Sequence, residues 1–394
     1  MPQLSAEVQG VADDVIIWRR HLHQHPELGF QEHATAAYVT HVLERIGGLE
    51  ISHPTTTSVL ARLQGARPGR VIALRADMDA LPISEETKLP FASQVPGVMH
   101  ACGHDAHTAI LLGATRLLSS RRAQLEGEIR FIFQHAEELA PGGAQELVAA
   151  GVMDGVEMVA GLHVTSLLEV GMVALSAGPV QASADEFRIE ILGDGGHAAY
   201  PQMAVDPIVI GAEVVGAFQQ IVARNTSPFD ALVLSVTMFH AGTAENVISS
   251  MAELVGTVRA FRPELRSETE ARMERVLRGV TEAHGAKYSF KYDYGYRPVV
   301  NDEWVTGIVK DALVQALGPA AVVPATPTMG AEDFSAYQQK APGAFFFIGA
   351  GNQAKGLVRQ HHHGLFEIDE GCLPIGVEAM VATAEGLLRV TPAG

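Results

Sequence analysis

Two cysteines in 394 residues are too few for a disulfide framework, so nothing in the chain calls for an oxidising compartment. Basic residues are scarce as well: 28 lysines and arginines face 45 acidic residues, a formal charge of −17. A nucleic-acid binder needs a basic face to displace counterions, and an anionic bilayer repels an acidic surface. Neither is an expected partner. Long apolar runs are missing, and none approaches the roughly 20 residues that a spanning helix needs. The first residues, Met1-Pro2-Gln3-Leu4-Ser5-Ala6-Glu7, lack a basic stretch followed by an apolar one. No secretory signal is expected, and the cytoplasm is the expected location. What is present is a hydrophobic fraction of 47%, enough for a large core, with no low-complexity tract that would argue for disorder. The length suggests two or three domains of about 150 residues each.

The pattern predicts an amphipathic helix over 6–17 and another over 34–46 that Gly47-Gly48 ends, with Pro26 closing the first. Short apolar runs at 71–76, 128–134, 156–162 and 344–348 read as buried strands, and 108–118 reads as a helix. Strands alternating with helices imply a mostly parallel α/β sheet. The character changes near residue 180. A half-exposed alternating strand at 185–192 is followed by a glycine-rich loop to His197 and a helix over 207–223. Strands at 231–239 and 252–260 and a helix over 263–284 come next. That β-α-β-β-α-β order reads as an inserted α+β domain over 181–295, interrupting a larger domain made of 1–180 and 296–394.

The densest chemistry lies at 100–107, His-Ala-Cys-Gly-His-Asp-Ala-His. Thiolate and imidazole both suit zinc-like or manganese-to-nickel divalent ions. Three further segments stand out: Glu137-Glu138 after a buried run, His163 at the end of another, and His361-His362-His363. Parallel strands would bring their carboxyl ends to one edge, so these segments can converge. Neighbouring glutamates in an extended or turning backbone point to different sides, which allows one to bind metal while the other serves as a base. Each piece also has a plainer reading. Acidic pairs suit helix N-termini, a lone histidine after an apolar run is more often a satisfied core residue, and three adjacent histidines suit a solvated loop. Cys372, in a helical run, reads as core.

Taken in order, the segments resemble the M20 metallopeptidase superfamily, in its branch of N-acyl-amino-acid amidohydrolases of the hippurate-hydrolase and auxin-conjugate-hydrolase type. The markers are Arg19-Arg20…His23…Pro26-Glu27-Leu28; Leu74-Arg75-Ala76-Asp77-Met78-Asp79-Ala80-Leu81-Pro82; and Met99-His100-Ala101-Cys102-Gly103-His104-Asp105. Gln134…Ala136-Glu137-Glu138, Gly161-Leu162-His163-Val164 and Gly195-Gly196-His197-Ala198-Ala199 follow. The remaining three are Gly242-Thr243-Ala244…Asn246-Val247-Ile248, Met329-Gly330-Ala331-Glu332-Asp333-Phe334, and His362-His363-Gly364-Leu365-Phe366…Asp369-Glu370.

The resemblance implies a discontinuous two-domain α/β fold, with a catalytic domain and a lid that dimerises. It implies two divalent ions per subunit (manganese, zinc, cobalt or nickel) held by Cys102, His104, Glu138, His163 and His362, with Cys102 bridging. His362 is preferred to its neighbours because it lies four before Phe366. Glu137 would be the general base, and His197 would be lent across a dimer interface to stabilise the oxyanion. Asn246 and Arg259 are candidates to hold substrate, and Asp77 and Asp79 to orient ligands. The implied reaction is hydrolysis of the amide of an N-acyl amino acid. A dipeptidase or carboxypeptidase of the same superfamily is the alternative, and a non-catalytic metal-binding homologue a remote one. Three positions depart from the usual pattern: Gln202 after Pro201, Ser249 after Ile248, and His135 before Ala-Glu-Glu. The first two fall in the insert and bear on specificity more than on reaction type.

Overall fold

The structure, a computed structural model, describes residues 1–389; positions 390–394 of the expected larger domain lie outside them. The chain divides into two compact units. One holds Met1–Val180, Val300–Thr326 and the chain from Asp333 onward; the other holds Gln181–Val299 and Pro327–Glu332. Residues 327–332, expected in the larger domain, cluster with the insert. There Gln181 bridges Thr328, and the Ala182 N–H donates to the Gly330 carbonyl. So short a return segment carries no periodicity, and the sequence alone does not signal it.

The larger unit is built on an eight-stranded sheet. Its middle strands, Glu126–Gln134, Arg67–Asp77, Met158–Glu169 and Gly343–Gly351, run side by side and parallel. Antiparallel strands Val59–Gln64 and Glu50–Ser52 extend one edge, and Val173–Ala174 and Val322–Val323 extend the other. Glu126–Gln134 and Gly343–Gly351 are buried almost end to end, as are residues 72–77 and 158–162 of the other two, as a sheet covered on both faces requires. Ser5 caps the helix Ala6–Gln24 by accepting the Val8 N–H, a contact worth about 1 kcal/mol. That helix and Cys372–Arg389 pack against a third, His104–Ser120. Close packing is possible because Gly113 lacks a side chain: a Cβ there would lie 2.7 Å from Val377 and 2.8 Å from Val15.

Two element boundaries differ from the sequence reading, and both affect the site. The helix expected over 108–118 starts at His104, with Gly103 at φ 89° immediately before it. Histidines and an aspartate fill its first turn, so hydrophobic periodicity misses the start. The strand expected to end at His163 continues to Glu169. Its far half alternates buried and open rather than staying apolar, and His163 therefore sits inside a strand rather than at its end.

The smaller unit has its own core, including Phe187, Ile189, Phe218, Leu254 and Leu277. Its four-stranded antiparallel sheet is ordered Leu232–Ala241, Met251–Ala260, Asp185–Leu192 and Lys287–Tyr294. Helices Pro207–Asn225 and Pro263–Ala283 pack on it, and alternate residues of Met251–Ala260 are buried accordingly. A separate two-stranded ribbon pairs Gly196–His197 with Val247–Ile248. Among the described residues, no helix is long and apolar enough to cross a membrane.

Candidate metal centre

Strand register brings the site together. Asp77 pairs with Gln134, Arg75 with Gly161, and His163 with Phe347. Two residues past the Arg75–Gly161 pair, Asp77 and His163 stand level at the carboxyl edge of the parallel strands, where open α/β sheets build their sites. Glu137-Glu138 follow the strand that ends at Gln134, and His104 opens its helix at the same edge.

Here the side chains converge. Ligand atoms of Cys102, His104 and His163 lie within 4.8 Å of one another, and so do those of Cys102, Glu138 and His362. Cys102 is common to both groups. A third group of the same span joins Glu137 and Glu138 to His104. The Cys102 Sγ is 3.4 Å from His163 Nε2, and Glu138 Oε1 is 3.0 Å from His362 Nε2. The neighbouring histidines face elsewhere. His361 Nε2 donates to the Val164 carbonyl at 3.0 Å, and His363 Nδ1 accepts the Leu365 N–H. His362 itself has a left-handed backbone, φ 62°.

Hydrogen bonds fix which nitrogen faces inward. His104 Nδ1 lies 2.9 Å from the Asp79 carbonyl, and His163 Nδ1 lies 2.6 Å from the Val164 carbonyl. A carbonyl can only accept, so each Nδ1 carries a proton and each Nε2 is the ring nitrogen turned to the cluster. His104 Nε2 is buried without a hydrogen-bond partner, which is costly for a group of this kind. Burial opposes charge on His104, but Asp77, Asp79 and Glu138 outweigh it and raise its pKa to about 10. Burial, then Glu138 and Glu137, push the Cys102 thiol well up. Burial and His107 hold His163 well down. Inward imidazole nitrogens, a shared thiol and surplus carboxylates suit divalent ions of the manganese-to-zinc series; the donor set fits the expected pair of metals.

Behind these residues stand Asp77 and Asp79, expected to orient ligands, and a buried arginine to which sequence reasoning assigned no role. Arg75, fully buried, donates to Gln134, Asp77 and Asp333. Asp77 in turn meets His107 Nδ1 at 2.6 Å, and His107 Nε2 accepts the Val164 N–H. Burial opposes the Asp77 charge, yet His104, Arg75 and His107 keep it well below the usual carboxylate range. Asp79 accepts the Glu138 N–H at 2.9 Å. Beneath the first turn of the His104 helix, Asp105 is held by Arg19 and His23. An arginine inside an otherwise apolar run was the available signal.

The remaining candidates belong to the smaller unit. His197 pairs with Val247, and the Ala198 N–H donates to the Asn246 carbonyl, so His197 and Asn246 share one exposed ribbon. Arg259 is not with them; it pairs with Val233 near the end of Met251–Ala260. Ser249, in place of a proline, accepts the Met251 N–H through its own hydroxyl.

A parallel-sheet unit with a two-lobed cluster sharing one thiol, and an α+β insert, is the architecture of a metal-dependent hydrolase. The model of peptidase family M20/M25/M40 matches residues 73–386, and the chain belongs to that family. An N-acyl-L-amino acid amidohydrolase from Geobacillus stearothermophilus is 58% identical over 75% of this chain and 80% of its own. Thermostable carboxypeptidase 1 of Saccharolobus solfataricus is 40% identical over 98% of both chains. Among solved structures, a dinuclear metal-binding M20 peptidase of Bacillus subtilis superposes with a TM-score of 0.86 at 38% identity, covering 97% of this chain and 100% of that one.

Proposed function

We propose that this chain hydrolyses the amide bond of small N-acyl amino acids, releasing a carboxylate and a free amino acid, with Glu137 as general base. The observation that carries the reading is the grouping of buried Glu137 and His104 with half-buried Glu138, which sets a second carboxylate beside the donor cluster. Cys102, His104, Glu138, His163 and His362 would hold two divalent ions, with Cys102 shared. Bound there, such ions supply Lewis acidity and lower the pKa of water from about 15.7 towards about 7. Glu137 takes the proton of the attacking water and returns it to the departing amine, so no free amide anion leaves. Asp79 fixes the His104 tautomer and the Glu138 backbone. Asp77 and His107 brace the strand that carries His163.

His197 is the proposed oxyanion donor, offered by the partner subunit of a homodimer; such a donor is worth about 3–4 kcal/mol. Asn246, on the same ribbon, would hold substrate beside it, and Arg259 is a separate candidate for the same task. Dimerisation through the smaller unit is supported by its edge strand Leu232–Ala241, which pairs on one side only among the described residues, and by exposed Met203, Val209, Met238 and Phe239. A cytoplasmic location suits a site whose central ligand is a free thiol.

Glu137→Gln tests the base. It should leave metal content intact and lower kcat by about 100-fold or more; near-normal turnover removes Glu137 from the role. A second reading, peptide hydrolysis, draws on the relative named as a carboxypeptidase. A panel of N-acetyl, N-benzoyl and dipeptide substrates, each run with manganese, zinc, cobalt and nickel, separates the two.

A further inference from the structure

In and around the cluster, the backbone of the larger unit is strained at named points. Among the described residues, three that are not glycine have left-handed φ: Phe30 at 65°, Ala136 at 48° and His362 at 62°. An alanine in this region crowds its own Cβ against the backbone, so it persists only where surrounding contacts over-determine it. Ala136 sits between the strand Glu126–Gln134 and the pair Glu137-Glu138. Its dihedral sets the direction in which the chain enters that pair.

One side chain holds two of the three strained residues. The Oε1 of Glu32 accepts the Ala136 N–H at 2.7 Å and the Phe30 N–H at 3.1 Å. Glu32 is fully buried at the head of the helix His33–Ile46, with Thr57 beside its carboxyl group. Burying a carboxyl group is an expensive way to satisfy two backbone donors, and residues that break folding rules in this way gather at functional sites. The peptide on the other side of Ala136 is also fixed, because the Gly143 N–H donates to the Ala136 carbonyl at 3.0 Å. Gly29 closes the remaining side; a Cβ there would stand 3.3 Å from both Cα and Cβ of Ala136.

We infer that Glu32 is a positioning residue for the reaction: its carboxylate locks Ala136 in the left-handed conformation that aims Glu137 at the site. The inference rests on Glu137 being the base. It assigns Glu32 no contact with substrate or metal. Its work is done through a backbone N–H, so any side-chain oxygen acceptor of the same reach should serve.

The test uses the metal-loaded enzyme with an N-acyl amino acid substrate, and reads kcat, KM and metal content together. Glu32→Ala should lower kcat at least tenfold, leave KM within twofold, and leave metal per chain at the parent value. Glu32→Gln keeps an acceptor oxygen and should stay within about threefold of the parent kcat. Adding Ala136→Gly to Glu32→Ala supplies a residue that enters the left-handed region freely and should recover most of the lost kcat. The inference is overturned if Glu32→Ala keeps its kcat, if its loss follows lost metal, or if glycine at 136 recovers nothing. A tenfold loss in Glu32→Gln with metal retained overturns it too, and that variant decides the matter should the alanine variant not fold. Glu137→Gln, assayed alongside, separates the two readings. If it stays active the base assignment fails; if it is dead while both Glu32 variants are normal, only the positioning role fails.

Discussion

At the residue scale, the ligand cluster depends on groups that never touch substrate. Asp79 serves His104 through its backbone carbonyl and Glu138 through its side chain. Asp79→Asn keeps the carbonyl and one side-chain oxygen but removes a charge that raises the basicity of His104 as a ligand. Metal affinity should fall about 10–100-fold, the usual cost of losing such an outer partner, while kcat at saturating metal stays near the parent value. Equilibrium metal titration checks this, and an unchanged Kd would remove Asp79 from the outer shell. Cys102, His104, Glu137-Glu138 and His362 were readable because each lies in a short motif whose residue types are chemically unusual. Arg75, Asp333 and Glu32 were not assigned roles. Their partners lie 258 residues away for Arg75–Asp333 and 104 for Glu32–Ala136, and no local pattern encodes such pairings.

Elements carry these residues to one edge, and their packing sets how firmly. The helix that begins at His104 approaches its neighbours through Gly113. Alanine there would gain about 1 kcal/mol in helix propensity, but its methyl would sit under 3 Å from the branched carbons of Val377 and Val15. Overpacking of that kind costs about 1–3 kcal/mol, so the clash should win. Gly113→Ala is expected to lower the denaturant midpoint without changing the slope; a raised midpoint would mean that the two valines move aside freely. Chain periodicity located this helix and the parallel strands, since apolar spacing is a local property. It misjudged their ends at 104 and 169, because both ends are polar: a first turn of histidines and an aspartate, and a strand leaving the core.

Across the whole molecule, charge and division into units make a joint prediction. The formal charge of −17 includes Asp77, Asp79, Glu137 and Glu138 around one cluster, all in the unit that begins at Met1. The smaller unit has a separate core and a buried Arg266–Asp185 pair of its own, with no member of that cluster. Divalent ions binding the folded cluster at about a thousand times their Kd should stabilise the larger unit by about 4 kcal/mol. For a unit of this size that is a rise of roughly 10 °C. None of the five expected ligands lies in the smaller unit, so its own melting should not move. Calorimetry with and without a chelator should therefore resolve two transitions in the metal-loaded enzyme that draw together when metal is removed. His104→Ala should abolish the upward shift and leave the transition of the smaller unit in place. If both transitions rise together with metal, the two units unfold as one cooperative body and the separation of cores does not govern stability. If neither rises, the cluster does not bind divalent ions in the folded chain, and the proposed chemistry falls with it.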